Sequence, residues 1–291
     1  MTTHMNGAAP VNGGAASFHI PGQDLHFTPP VFEGPAGTAG VLEGPAEVGE
    51  VGIAIPGLLL ADVSWSTQQF LPTMTEGLRD LAKGLRQHSA ASANAYLGIS
   101  TFADTATTLL PLTRIADPSV SIPDLMPRGN GTNFHAALTE ALTRFRADLP
   151  LLGATADGQK RQLFRPTIYL FTDGEHNTGG DWLAPLNELR TRSWKPNIMV
   201  FGWGAADREV IRRIATEGMA FFAEDGQTPD KIIDQILKVI LRSMISATTS
   251  AQAQAANPGT PATTPAIDPQ TDPATQGLVR IDNSPVGHSI D

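Results

Sequence analysis

The chain has 291 residues, with 20 Lys and Arg against 29 Asp and Glu, seven His and no Cys. The absence of Cys excludes a disulfide framework, zinc–thiolate and iron–sulfur sites, and a Cys nucleophile. Five acids and no base fall in residues 1–50, and four acids against Arg280 alone in residues 248–291. The stretch between is nearly neutral, which excludes the basic footprint that nucleic acid or an anionic membrane surface demands.

Residues 1–50 are rich in Gly, Ala and Pro and read as an acidic, disordered segment. Within them Phe18, Ile20, Leu25, Phe27, Val31 and Phe32 form an apolar cluster, either packed on the core or serving as a short partner motif. No basic stretch opens a long apolar run, so no secretory signal is expected. The most apolar run, Ile53–Ala61, is about half the ~20 residues of a membrane span. A soluble, cytoplasmic protein is the expectation.

Residues 51–247 alternate strand and helix patterns. Ile53–Ala61 reads as a strand covered on both faces. Leu71, Met74, Leu78, Leu81 and Leu85 then repeat at helical spacing. Strands are predicted at Ala95–Phe102 and Thr107–Leu112, close enough for a hairpin, and a helix runs from His135 to about Leu149. Strand Thr167–Thr172, helix Trp182–Arg192, strand Asn197–Gly202, helix Asp207–Glu217 and strand Met219–Ala223 follow. A closing helix runs from Pro229 to about Ser246, carrying Ile232, Ile233, Ile236, Leu237, Ile240, Leu241 and Met244. This predicts an α/β fold: a doubly wound, mostly parallel central sheet with one antiparallel edge strand and helices on both faces. No Gly-Lys-Ser/Thr follows Gly202-Trp203-Gly204, so it is not a phosphate loop. Residues 248–291, rich in Pro, Thr and Ala, read as a disordered tail, and Leu278, Val279, Ile281 and Val286 near its end as a motif or more disorder. A self-supporting core without a spare apolar stripe predicts a monomer.

Ligands of doubly wound sheets sit beyond the carboxyl ends of the strands. Three segments place oxygens there: Asp62-Val63-Ser64-Trp65-Ser66, Gly129-Asn130-Gly131-Thr132-Asn133 and Thr172-Asp173-Gly174. Alternate residues of a strand-to-helix loop can face one point, so Asp62, Ser64 and Ser66 form one group, with Thr132 and Asp173 as further candidates. All five are hard oxygen donors, suited to Mg²⁺ or Mn²⁺, with Ca²⁺ behind them, rather than zinc or copper. Two carboxylates only balance a divalent charge, so the ion would draw an anionic oxygen from a partner. Taken singly, Ser64, Ser66, Thr132 and Asn133 are better explained as helix caps, and Asp173-Gly174 as a turn; three such segments together reverse that preference and favour a metal site. Trp65, Asn133, Glu175 and His176 would form the rim. Trp65 is read as half-packed or as an anchor, Glu175 as a rim or solvated charge, and His135 and His176 as surface or capping groups.

With its Asp-x-Ser-x-Ser motif at Asp62, Ser64 and Ser66, the chain resembles a von Willebrand factor type A domain. Thr132 matches that family's loop threonine and Asp173 its later aspartate, and the likeness runs from about Gly52 to Ile245, including the Pro111-Leu112-Thr113 turn. It implies a Rossmann-like fold, no enzymatic activity, and a metal-ion-dependent adhesion site completed by a partner's Asp or Glu. The layout from Arg165-Pro166 through Asp173-Gly174 and Trp182 to Phe201-Gly202 is similar to the TerY-like, tellurite-resistance-associated branch. That branch implies a scaffold in stress or phospho-signalling, with a protein kinase and a phosphatase as partners. Three departures stand out: Trp65 where the family usually has Gly, Thr67 where it often has Met, and Asn130 interrupting what is commonly a Gly-Gly pair.

Two other readings remain. A metal-dependent phosphohydrolase or phosphotransferase would use Asp62 as nucleophile. That class needs an acid where Ser64 stands, and a lysine, yet none lies between Lys83 and Lys160. Alternatively, the domain binds partners independently of metal, through its helical faces.

Overall fold

A computed structural model describes residues 18–20, 23–25, 52–154, 160–224, 226–256 and 278–281. The other residues expected to be disordered, and Phe27, Val31 and Phe32 of the first apolar cluster, lie outside this set. Two short strands, β1 (Phe18–Ile20) and β2 (Gln23–Leu25), pair antiparallel.

Ten residues, Ile53–Asp62, form β3, and every one is buried. This explains the unbroken apolar run: alternate residues must satisfy two different layers. Leu59 and Ala61 belong to one core, Leu58 and Leu60 to the other. Beside β3 lie β4 (Ala95–Phe102) and, antiparallel to it through a tight hairpin, β5 (Ala106–Thr113). On its other side β3 pairs first with β6 (Gln162–Leu163) and then, from Gly57 onward, with β7 (Thr167–Thr172). The neighbour changes across Ile55-Pro56, where the missing Pro N–H would break a continuous ladder. Parallel strands β8 (Asn197–Gly202) and β9 (Ala220–Ala223) extend the sheet.

Helices α1 (Leu71–Arg86), α2 (Ser89–Asn94) and α6 (Pro229–Ala256) cover one face; α3 (Phe134–Leu152), α4 (Leu183–Thr191) and α5 (Arg208–Ile214) cover the other. The predicted doubly wound, mostly parallel sheet with its β5 edge is therefore present. Neither α2 nor β6 was expected, and two further features at the C-terminal end depart from expectation. The closing helix continues to Ala256, ten residues past its expected end, because Ala247 and Ala251 pack on Ile53 and Ile55 at the start of β3. Residues Leu278–Arg280, expected to be disordered or a linear motif, form β10, antiparallel on β9, with Leu278 buried in the core. The order of the main path is β10-β9-β8-β7-β3-β4-β5. From β3 the chain first builds toward β5, then returns to add β7 on the opposite side. The carboxyl ends of β3 and β7 thus flank the topological switch point, where crossing loops diverge and leave a crevice. Among the described residues no helix is long and apolar enough to cross a membrane.

Candidate metal centre

Pairing of Ala61 with Phe171 places Asp62 and Thr172 at neighbouring strand ends. Continuing the alternation through Leu58 and Leu60, and through Ile168 and Leu170, puts both on the α3 side. There the Thr172 hydroxyl donates to Asp62 Oδ2 at 2.7 Å, and the Thr132 hydroxyl approaches the same oxygen at 3.3 Å. The other oxygen, Oδ1, accepts the Ser64 N–H at 2.9 Å, turning the chain sharply after the strand. Thr67, which replaces a common Met of the resembling family, donates to the carbonyls of Asp62 (3.0 Å) and Ser64 (2.8 Å) and locks the turn from below.

A 3₁₀ helix follows at Trp65–Phe70, anchored by Phe70 against Trp203 at the end of β8, with ring centroids 5.1 Å apart. Ser64 occupies its N-cap position, yet its side chain makes no capping bond. Its hydroxyl instead lies 3.1 Å from that of Ser66, which donates to Asp173 Oδ1 at 2.8 Å. Asp62, Ser64, Ser66, Thr132 and Asp173 are thereby linked in one hydrogen-bonded cluster at the switch point.

The second loop is held by groups that the sequence reading passed over. Asp104 accepts the N–H of Asn130 (3.1 Å) and of Gly131 (2.9 Å), and Asn177 accepts the Thr132 N–H at 2.8 Å. Gly129 has φ +77°, a conformation costly for other residues. A Cβ on Gly174 would stand 2.5 Å from the Thr132 hydroxyl, so only glycine lets the third loop approach the second.

Two carboxylates are therefore buried among neutral hydroxyls. Among the described residues, neither Asp62 nor Asp173 forms an ion pair. Burial raises the Asp62 carboxyl above its ordinary value against its four hydrogen bonds. Burial also pushes Asp173 up to about 6, helped by the Asp62 charge and opposed by the Ser66 hydroxyl. Such acids are stabilised by a proton or by an external cation. Among the described residues no three His, Asp or Glu side chains are grouped to hold a metal. A metal here must draw on hydroxyls, and the donor set fits a hard divalent ion completed by water or an outside oxygen.

The expected rim separates into different roles. Trp65 is 52% exposed, so it does not pack as a core filler; its backbone shows no positive φ, and the loop needs no glycine there. Glu175 is exposed. Asn133 is buried and is a helix cap rather than a rim group: its Oδ1 accepts the Ala136 N–H at 2.9 Å and its amide donates to Asp104 O at 2.8 Å. His176 stacks on Phe134, with centroids 5.7 Å apart, and accepts the Phe134 N–H at Nδ1. It ties the third loop to the start of α3. His135 lies with Nδ1 2.8 Å from the carbonyl of Asp181. Thr172 is the site residue that was missed, although the period-2 alternation of β7 would have placed it beside Asp62.

The von Willebrand factor type A domain model matches residues 58–235, more than half of the chain. No curated protein matches the sequence. Similar solved structures include proximal thread matrix protein 1 from the mussel byssus, at 18% identity, covering 67% of this chain and 49% of that one, with TM-score 0.47. A further structure of that protein, at 17% identity (67% and 48% covered, TM-score 0.47), is described as having a zinc-occupied MIDAS motif. The SpaC pilus adhesin of Lactobacillus rhamnosus GG is 14% identical over 67% of this chain and 30% of its own, with TM-score 0.48. The chain spans about half the length, or less, of these proteins. With the family match spanning residues 58–235 and all three loops of the site, the chain belongs to the von Willebrand factor type A domain family.

Proposed function

We propose that this protein is a metal-dependent protein-binding module, and that Asp62, Ser64, Ser66, Thr132 and Asp173 form its metal-ion-dependent adhesion site. The observation that carries this reading is the convergence of five hard oxygens, two of them on buried carboxylates without a cationic partner. Bound there, Mg²⁺ or Mn²⁺ would supply Lewis acidity toward an anionic oxygen. Asp62 and Asp173 would hold the charge, and the hydroxyls would hold the shape. Thr172 and Thr67 position Asp62. Because the hydroxyls add no negative charge, an Asp or Glu of a partner protein would complete the electrostatic balance.

The partner role is that of an adaptor rather than a catalyst. Both Asp62 oxygens are already engaged by the turn and by threonines, which suits an ion holder more than a phosphoryl-accepting nucleophile. The TerY-like layout supports a cytoplasmic setting in tellurite-type stress signalling, with a protein kinase and a phosphatase as partners. Residues 1–50 and the tail would add reach to those contacts.

The deciding experiment joins binding of Mg²⁺ and Mn²⁺, followed by calorimetry, to affinity capture in Mg²⁺ and in EDTA. Wild type should bind one ion and retain partners only in Mg²⁺, while Asp62→Ala loses both. Partners indifferent to EDTA and to Asp62→Ala would overturn the metal mechanism in favour of binding through the helical faces.

A further inference from the structure

Resting on the metal-site reading above, we infer that the partner presents its metal-binding acid beside a large apolar side chain, seated on Trp65 and Met126, with Arg128 taking a second acidic group. Four large apolar side chains are exposed among the described residues, and two of them, Trp65 (52%) and Met126 (63%), lie on segments that meet at the end of β3. Trp65 stands between two of the candidate metal ligands. Met126 is fixed between two anchors: the Leu125 N–H bonds the Thr75 hydroxyl on α1 at 3.1 Å, and the Arg128 N–H bonds the Val63 carbonyl at 2.7 Å. Val63 is the residue between Asp62 and Ser64, so this segment passes directly beside the first loop.

Charge points the same way. The acidic excess lies in the two ends and residues 51–247 are nearly neutral, so a local exposed cation decides where an acidic partner is drawn. Arg128 is exposed and forms no ion pair among the described residues. With Val63, Gly129 and the threonines 101, 105 and 107 it lines a small pocket of about 80 Å³ beside the site. Asp104, the acid in that pocket, has both oxygens occupied by the N–H groups of Asn130 and Gly131. Aromatic and Met side chains at the centre of a contact, beside an Arg, are the composition typical of binding anchors. An isolated carboxylate on a metal binds weakly, so selection needs these added contacts.

The test is selection of a random dodecapeptide display library on Mg²⁺-loaded protein, eluted with EDTA. The thermal midpoint is followed with and without Mg²⁺ in each variant. Wild type should yield peptides with Asp or Glu, a Trp, Phe, Leu or Met within four positions and a second Asp or Glu, each enriched at least fivefold over the library. Trp65→Ala and Met126→Ser should reduce the apolar enrichment at least threefold and keep the acid. Arg128→Gln should remove only the second acid. Acid enrichment without the apolar residue, an unchanged pattern in Trp65→Ala, or an empty eluate from protein that Mg²⁺ still stabilises overturns the inference. No Mg²⁺ effect on the midpoint overturns the metal site itself, and this inference with it.

Discussion

Leu58, Leu59, Leu60 and Ala61 are as fully buried as Asp62, the next residue on the same strand, yet burial acts on them in opposite senses. For the leucines, removal from water is the main source of stability, about 1.5–3 kcal/mol for each side chain. For Asp62 the same removal penalises the charge, and four hydrogen bonds do not restore its ordinary acidity. The step from Ala61 to Asp62 marks the change from the part of the strand that makes the fold to the part that can take a ligand. Equal exposure thus says nothing about role; the partner of each buried group decides it.

The comparison breaks most visibly in the strand body. Leu60→Ala deletes a wholly buried side chain in the core against α3 and should cost about 2–5 kcal/mol. Urea denaturation should give the same loss with and without Mg²⁺, because Leu60 supplies no ligand to the ion. A loss that saturating Mg²⁺ restores would show that strand body and strand end are one energetic unit.

At the strand ends the effects are smaller and depend on pH. Asp173 is raised from 3.8 to about 6 in the folded, metal-free protein. A native carboxyl that holds its proton more tightly than the unfolded chain contributes stability that is complete below about pH 4 and lost as pH rises through about 6. The metal-free unfolding free energy should therefore fall across that window, by an amount on the order of 1–2 kcal/mol after allowance for the solvent near Asp173, and the thermal midpoint with it. Metal binding requires the ionised carboxylates, so stabilisation by Mg²⁺ should grow over the same range. Asp173→Asn should flatten the metal-free fall and weaken Mg²⁺ at least tenfold. A Mg²⁺ shift as large at pH 5 as at pH 7.5 would count against the pair as the ion's holders.

Alternation and helical spacing made most of this legible before the structure. The buried strand β3, the hairpin to β5 and the amphipathic α1 follow from side-chain period alone. The three loops were legible because hydroxyls and acids stood where strands end. What escaped notice depends on partners distant in sequence. Asn133 and Thr132 are adjacent, and both precede a helix; only the position of Asp104, some thirty residues away, makes one a cap while the other faces Asp62. The extension of α6 follows from Ala247 and Ala251 meeting the start of β3, a contact that small residues do not advertise. Strand β10 is three residues long in a stretch of tail composition, and its pairing with β9 depends on an open sheet edge.

The finest test separates two residues that the sequence placed together on the rim. Asn133→Ala removes a cap and its bond to the Asp104 carbonyl, and should cost about 1 kcal/mol in urea denaturation. The peptides that the protein selects should keep their pattern, since the Asn133 side chain is turned inward. Trp65→Ala removes an exposed ring and should change stability by no more than about 0.5 kcal/mol. Its effect should fall instead on which peptides are retained in Mg²⁺. If Trp65→Ala proved the more destabilising of the two and left selection unchanged, the ring would be supporting the 3₁₀ turn rather than facing a partner. The division of the rim into a buried cap and an exposed anchor would then have to be redrawn.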